Sequence, residues 1–122
     1  MKLEELNVYN LAMALGNAIW ENVTKWNDFE RGTMGKQLIR AADSVAANLS
    51  EGFGRYHYKD VKNFGYYSRG SLYETKTWLT KAYERKLISE DEYTKFTEKI
   101  NDLGVRINNY INSIGPSQKK TS

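Results

Sequence analysis

Apolar residues recur along most of this chain at steps of three and four, the spacing that gathers side chains on one face of an α-helix. In the first such segment Val8, Leu11, Ala12, Leu15, Ile19, Val23 and Trp26 mark one face and Asn10, Asn17 and Glu21 the other, which predicts a helix over about 3–26. Trp20 falls beside the apolar stripe, where it either closes the edge of the core or touches another chain; the core edge is the expected place. The polar run NDFERGTMG (27–35) contains two glycines and reads as a connection that reverses the chain, with Gly32 or Thr33 as N-cap.

The next helix, predicted over about 34–51, carries two stripes. Leu38, Ala42, Val45 and Leu49 form an apolar one, and Gln37, Ala41, Ser44, Asn48 and Glu51 form a small, polar one beside it. Gly52 and Gly54 are stop signals, and Phe53 is placed to fold back onto the apolar face. A loop rich in bases and aromatics, GFGRYHYKD, leads to a third helix over about 60–85 with Asp60 as its expected cap. Its inner face mixes Phe64, Leu72, Trp78 and Leu79 with Ser68, Ser71 and Thr75. Gly70 sits mid-helix, where glycine costs about 1 kcal/mol relative to alanine. That cost predicts close approach of another helix at Gly70, with Ala41, Ala42, Ala46 and Ala47 opposite.

Ser89-Glu90-Asp91-Glu92 is a capping box with acids in the first turn, the firmest helix start in the chain. Tyr93, Phe96, Ile100, Leu103, Ile107, Ile111 and Ile114 then keep the period over about 90–114, up to Gly115 and the only proline, Pro116. Residues 116–122 are expected to be a disordered tail. Four amphipathic helices with short connections and no second copy of any motif predict an all-α domain over 1–115, folded as an antiparallel up-down-up-down four-helix bundle.

Composition narrows the chemistry. The absence of cysteine excludes thiol nucleophiles, disulfides and thiolate metal sites, and a single histidine, His57, excludes the multi-histidine zinc sites. No metal and no cofactor is expected. No apolar run approaches the ~20 residues of a membrane span, and MKLEELNVYN has acids where a signal peptide begins with bases, so a cytoplasmic protein with no membrane partner is expected. The net charge of +3 is unevenly spread: eleven Lys or Arg face five Asp or Glu between Arg31 and Lys86, against seven and ten elsewhere. A basic middle suggests a surface that meets a polyanion, although ordinary solvated helix faces produce the same pattern.

Two groups of residues stand out. The polar strip Ser44, Asn48, Glu51, Ser71 and Glu74 contains a pair of carboxylates that could serve as acid and base. Held by Asn48, Ser71, Arg40 or Arg55, those carboxylates instead make a buried network that sets helix register, and no nucleophile accompanies them; a structural role is expected and catalysis is not. The second group joins the loop to the start of the third helix: Arg55, Tyr56, His57, Tyr58, Lys59, Lys62, Tyr66, Tyr67 and Arg69. Bases neutralise phosphates and tyrosines stack on unpaired bases, yet tyrosine and arginine are equally residues of protein interfaces. Tyr56, Tyr58, Tyr66 and Tyr67 are accordingly candidates for subunit contacts.

The run Gln37-Leu38-x-Arg40-Ala41-Ala42-x-Ser44-Val45-x-Ala47-Asn48-Leu49-x-Glu51-Gly52-x-Gly54-Arg55, followed by Phe64, Gly70-Ser71-Leu72 and Glu74, resembles a known family. These are the small four-helix-bundle proteins encoded in intervening sequences of bacterial 23S rRNA genes, which include accessory proteins of diversity-generating retroelements. The likeness extends over nearly the whole chain. Tyr67-Ser68-Arg69 departs from it, where a more apolar, alanine-containing turn is expected. The resemblance implies a ring-shaped homopentamer without catalytic activity, whose basic surface binds nucleic acid and, in the retroelement branch, a reverse transcriptase. In a ring, five copies of a modest basic stripe converge into one field. That brings Lys36, Arg40, Lys76 and Lys81 into the candidate nucleic-acid surface with Arg55, Lys59, Lys62 and Arg69. RNA or an RNA-DNA hybrid, bound through phosphates without sequence reading, is the expected ligand; the alternative is a scaffold that recruits a protein partner.

Overall fold

The structure, a computed structural model, describes residues 1–115, so the predicted stop at Pro116 and the predicted tail 116–122 lie outside the described residues. Four long helices form where the apolar period runs: α1 (Asn7–Val23), α2 (Lys36–Phe53), α3 (Tyr58–Glu84) and α4 (Glu90–Ser113). No strand occurs among the described residues, and no helix is long and apolar enough to cross a membrane. α1 packs on α2, α2 on α3, α3 on α4 and α4 back on α1, around a core of Leu15, Ile19, Leu38, Val45, Leu49, Leu72, Leu79 and Ile107. The pairs run antiparallel: Gly65 of α3 meets Ile111 near the end of α4, and Lys76 of α3 meets Asn101 earlier in α4.

The connection predicted over 27–35 is helical instead. Asn27 is extended and acts as N-cap; Asp28–Glu30 then form one turn, and Arg31–Gly35 form a π-helical segment that runs straight into α2. A widened turn of this kind re-aims the helix without breaking it. It seats Gly35 so closely on α1 that a Cβ there would lie 2.6 Å from Val23 Cγ1. Neither Gly32 nor Thr33 is the cap, and the Thr33 hydroxyl donates back to the Phe29 carbonyl at 2.7 Å.

α3 begins two residues before the predicted start. His57 is its N-cap without a side-chain bond, and Asp60 lies inside the first turn, where a carboxylate still favours the helix dipole. α3 ends in a Schellman arrangement: Leu87 N–H donates to the Ala82 carbonyl and Lys86 N–H to that of Tyr83, with Lys86 left-handed at φ 64°. The predicted capping box holds, with Ser89 Oγ accepting from Glu92 N–H and Glu92 Oε1 accepting from Ser89 N–H. It also extends further than predicted. Glu92 Oε2 accepts from Asn22 Nδ2 at 2.9 Å, and Asn22 Oδ1 accepts from Trp26 Nε1, which ties the end of α1 to the start of α4. These bonds, the Ser89 backbone bond first, hold the Glu92 carboxyl below its ordinary range.

Close helix approach occurs, but not at Gly70, where a Cβ would meet nothing within 4 Å. It occurs at Gly52, where an added Cβ would lie 2.8 Å from Phe64 Cβ, and at Gly65, where it would lie 2.7 Å from Ile111 Cγ1. Gly70 lies on the solvent flank of α3. Trp20 likewise departs from its expected place at the core edge: it is 55% exposed on α1.

Candidate nucleic-acid interface

The basic residues singled out in the sequence divide rather than gather into one patch. Lys62, Arg69 and Lys76 follow each other at seven-residue steps on α3, two helical turns or about 10.5 Å apart. Hydrogen bonds to α4 show which flank they occupy. Arg69 Nη1 donates to Asn108 Oδ1 at 2.9 Å, and Lys76 Nζ donates to Asn101 Oδ1 at 3.5 Å. The Arg69 guanidinium also lies over the Tyr66 ring, 4.9 Å from its centroid.

An amide oxygen accepts a hydrogen bond without carrying a charge, so Asn108 orients Arg69 and both asparagines leave the charge of the cation beside them uncompensated. The ion pairs among the described residues lie elsewhere, at Arg31–Asp28, Arg55–Glu51, Lys95–Asp91 and Arg106–Asp102. Arg55 therefore differs from Arg69. It is paired to Glu51 at 2.8 Å and lies over Phe64, and must release a carboxylate before it can serve a phosphate. Lys36 and Arg40 are exposed on the outer side of α2, and Lys59 is exposed in the first turn of α3. Lys81 sits about 140° around α3 from Lys76, at about 100° per residue, and so looks away from the α4 flank.

Along that flank α3 and α4 border a cleft of about 290 Å³. Its floor is Leu72 and Ile100, both buried; its rim is Tyr73 and Val105, 65% and 60% exposed. Asn101, Asn108, Tyr73 and Gly104 escaped the sequence reading. A signal for the asparagines exists: Asn101 and Asn108 stand seven apart on α4, as Arg69 and Lys76 do on α3, and two antiparallel helices bring such pairs level.

The polar strip is only partly assembled. Asn48 Nδ2 donates to the Ser44 carbonyl at 2.9 Å and reaches Ser71 Oγ at 3.5 Å, the one link of the strip between helices. Glu51 and Glu74 do not join it; both are exposed, Glu51 on Arg55 and Glu74 on Trp78 Nε1 of its own helix. The buried register contact is made by Ser68, whose Oγ donates to the Val45 carbonyl at 2.8 Å with the residue wholly buried. Ser68 belongs to the tripeptide that departs from the family pattern. Thr75, also wholly buried, satisfies its hydroxyl on the Ser71 carbonyl. Among the described residues no group of three or more His, Asp or Glu is placed to hold a metal ion.

The four candidate interface tyrosines, Tyr56, Tyr58, Tyr66 and Tyr67, are all exposed at the loop and the first half of α3. α1 also exposes Met13 and Trp20, and Met13 borders a cleft between α1 and α2. Asp43 lines that cleft so near α1 that a Cβ on Gly16 would lie 2.8 Å from its Oδ1, and burial raises its carboxyl above the ordinary range.

Comparison with known proteins agrees with this architecture. The family model described as 23S rRNA-intervening sequence protein matches residues 4–109. A crystal structure of a protein of unknown function from the S23 ribosomal protein family of Bacteroides thetaiotaomicron superposes with a TM-score of 0.77 at 19% identity, covering 85% of this chain and 97% of that one. At that identity the likeness speaks for the fold alone. No curated protein matches the chain.

Proposed function

The chain belongs to the family of 23S rRNA-intervening sequence proteins, and from that premise we propose a non-catalytic, cytoplasmic bundle that binds RNA or an RNA-DNA hybrid through its basic surface, without reading sequence. The observation that carries this reading is the pair Arg69 and Lys76, two cations that face neutral amides of α4 with no carboxylate paired to them. Such cations neutralise phosphates and release counterions, so affinity falls steeply as salt rises. Assembly of the bundle as a homopentameric ring multiplies the field fivefold and explains how a chain of net charge +3 attracts a polyanion.

A filter-binding titration with an RNA-DNA hybrid tests the proposal. Binding at ~50 mM salt that weakens progressively toward ~200 mM is expected; no binding at the lower salt, or binding without a salt slope, overturns it. Light scattering of the purified protein tests the ring, with a mass of five chains expected and a monomer refuting it. The exposed Trp20 and Met13 favour a second reading, a scaffold that recruits a protein such as a reverse transcriptase. That reading requires co-purification with the partner to survive nuclease and to be lost in Trp20→Ala.

A further inference from the structure

We infer that the cleft between α3 and α4 binds unpaired nucleic acid in preference to duplex; the inference rests on the proposed function and names the strand type and the site. The two cations Arg69 and Lys76 border a cleft whose floor is apolar and whose rim carries Tyr73. A duplex presents phosphates outward and hides its base faces in the stack, so it can use the cations but not the floor or the ring. A single strand can use all three: phosphates on Arg69 and Lys76, and an unstacked base on Tyr73 and the apolar floor.

Tyr73 is 65% exposed at the rim of the cleft, whereas the Tyr66 ring already lies under Arg69. Gly104 keeps the cleft open. A Cβ there would touch only Leu72 Cδ2, at 3.6 Å, which is ordinary contact. Packing therefore does not demand glycine at this position, and a longer side chain would extend into the space a base needs.

The test measures fluorescence anisotropy of a labelled oligouridylate of about 15 nucleotides, alone and paired to its complement. The full chain should bind the single strand about tenfold tighter than the duplex, within the range that stacking one base on one aromatic ring contributes. Gly104→Leu should remove that preference and leave duplex binding unchanged, with circular dichroism showing an intact helical fold. Tyr73→Ala should do the same through the rim. Arg69→Gln with Lys76→Gln should weaken both ligands and make the single-strand salt slope shallower by about 1.4, at ~0.7 per phosphate contact. Equal affinity for the two forms, or a preference that survives Gly104→Leu, overturns the inference while leaving nucleic-acid binding standing. Binding of neither form overturns the functional reading itself and the inference with it.

Discussion

Two glycines five residues apart on α3 should respond differently to alanine. At Gly70 an added methyl meets nothing within 4 Å, so the substitution carries only the gain in helix propensity, about 1 kcal/mol. At Gly65 the same gain is opposed by a clash, because the methyl would lie 2.7 Å from Ile111 Cγ1 and 3.3 Å from its Cδ1. Ile111 is itself buried in the core, so the clash must be absorbed among packed side chains. Overpacking of this kind costs about 1–3 kcal/mol, which leaves Gly65→Ala neutral to about 2 kcal/mol less stable. The two variants should therefore differ by about 1–3 kcal/mol. Urea unfolding followed by circular dichroism measures that difference directly, and each 1 kcal/mol corresponds to about 3–5 °C in melting temperature for a chain of this length. Equal stability of the two variants would refute the placement of α3 against α4. A loss at Gly70 would mean that its open flank is covered, since nothing among the described residues lies within 4 Å of an added methyl there.

Lys86 occupies a left-handed position at φ 64°, where a side chain costs energy that glycine avoids, so Lys86→Gly should raise stability by about 1 kcal/mol in the same unfolding assay. Ser68→Ala should lower it by about 1 kcal/mol through loss of the bond to the Val45 carbonyl, whereas Ser71→Ala, half-exposed and linked only at 3.5 Å, should change it much less. The Glu92 carboxyl titrates lower when folded than when unfolded, so its contribution is complete above the ordinary value of 4.5 and is lost as pH falls through the lowered one. The urea midpoint of the natural chain should accordingly drop more between pH 5 and pH 3 than that of Glu92→Gln; parallel profiles would remove Glu92 from the link between α1 and α4.

Much of the fold was legible because its cause is local. The three-four period of Leu15, Ile19 and Val23, or of Phe96, Ile100 and Leu103, is a property of neighbouring residues, and so is the box from Ser89 to Glu92. What was misread depends on distance. The polar run 27–35 looks like a loop until Gly35 is seen seated on Val23, and Gly70 looks like a packing glycine until Gly65 is seen to fill that role against Ile111. Glu51 and Glu74 share helical faces with Asn48 and Ser71, but a carboxylate is cheaper to leave in water than to bury, and each turns to a partner on its own chain segment.

The candidate site divides along the same line. By itself the sequence determined four amphipathic helices, a basic middle segment and membership of a family, since periodicity, charge and motif spacing are all carried by residues near one another in the chain. Only the tertiary structure decided which cations are free: it set Arg69 beside Asn108 and Lys76 beside Asn101, left Arg55 on Glu51, and opened the cleft at Gly104. A charge is available to a ligand only if nothing else neutralises it, and that depends on which residues antiparallel packing brings level across the bundle.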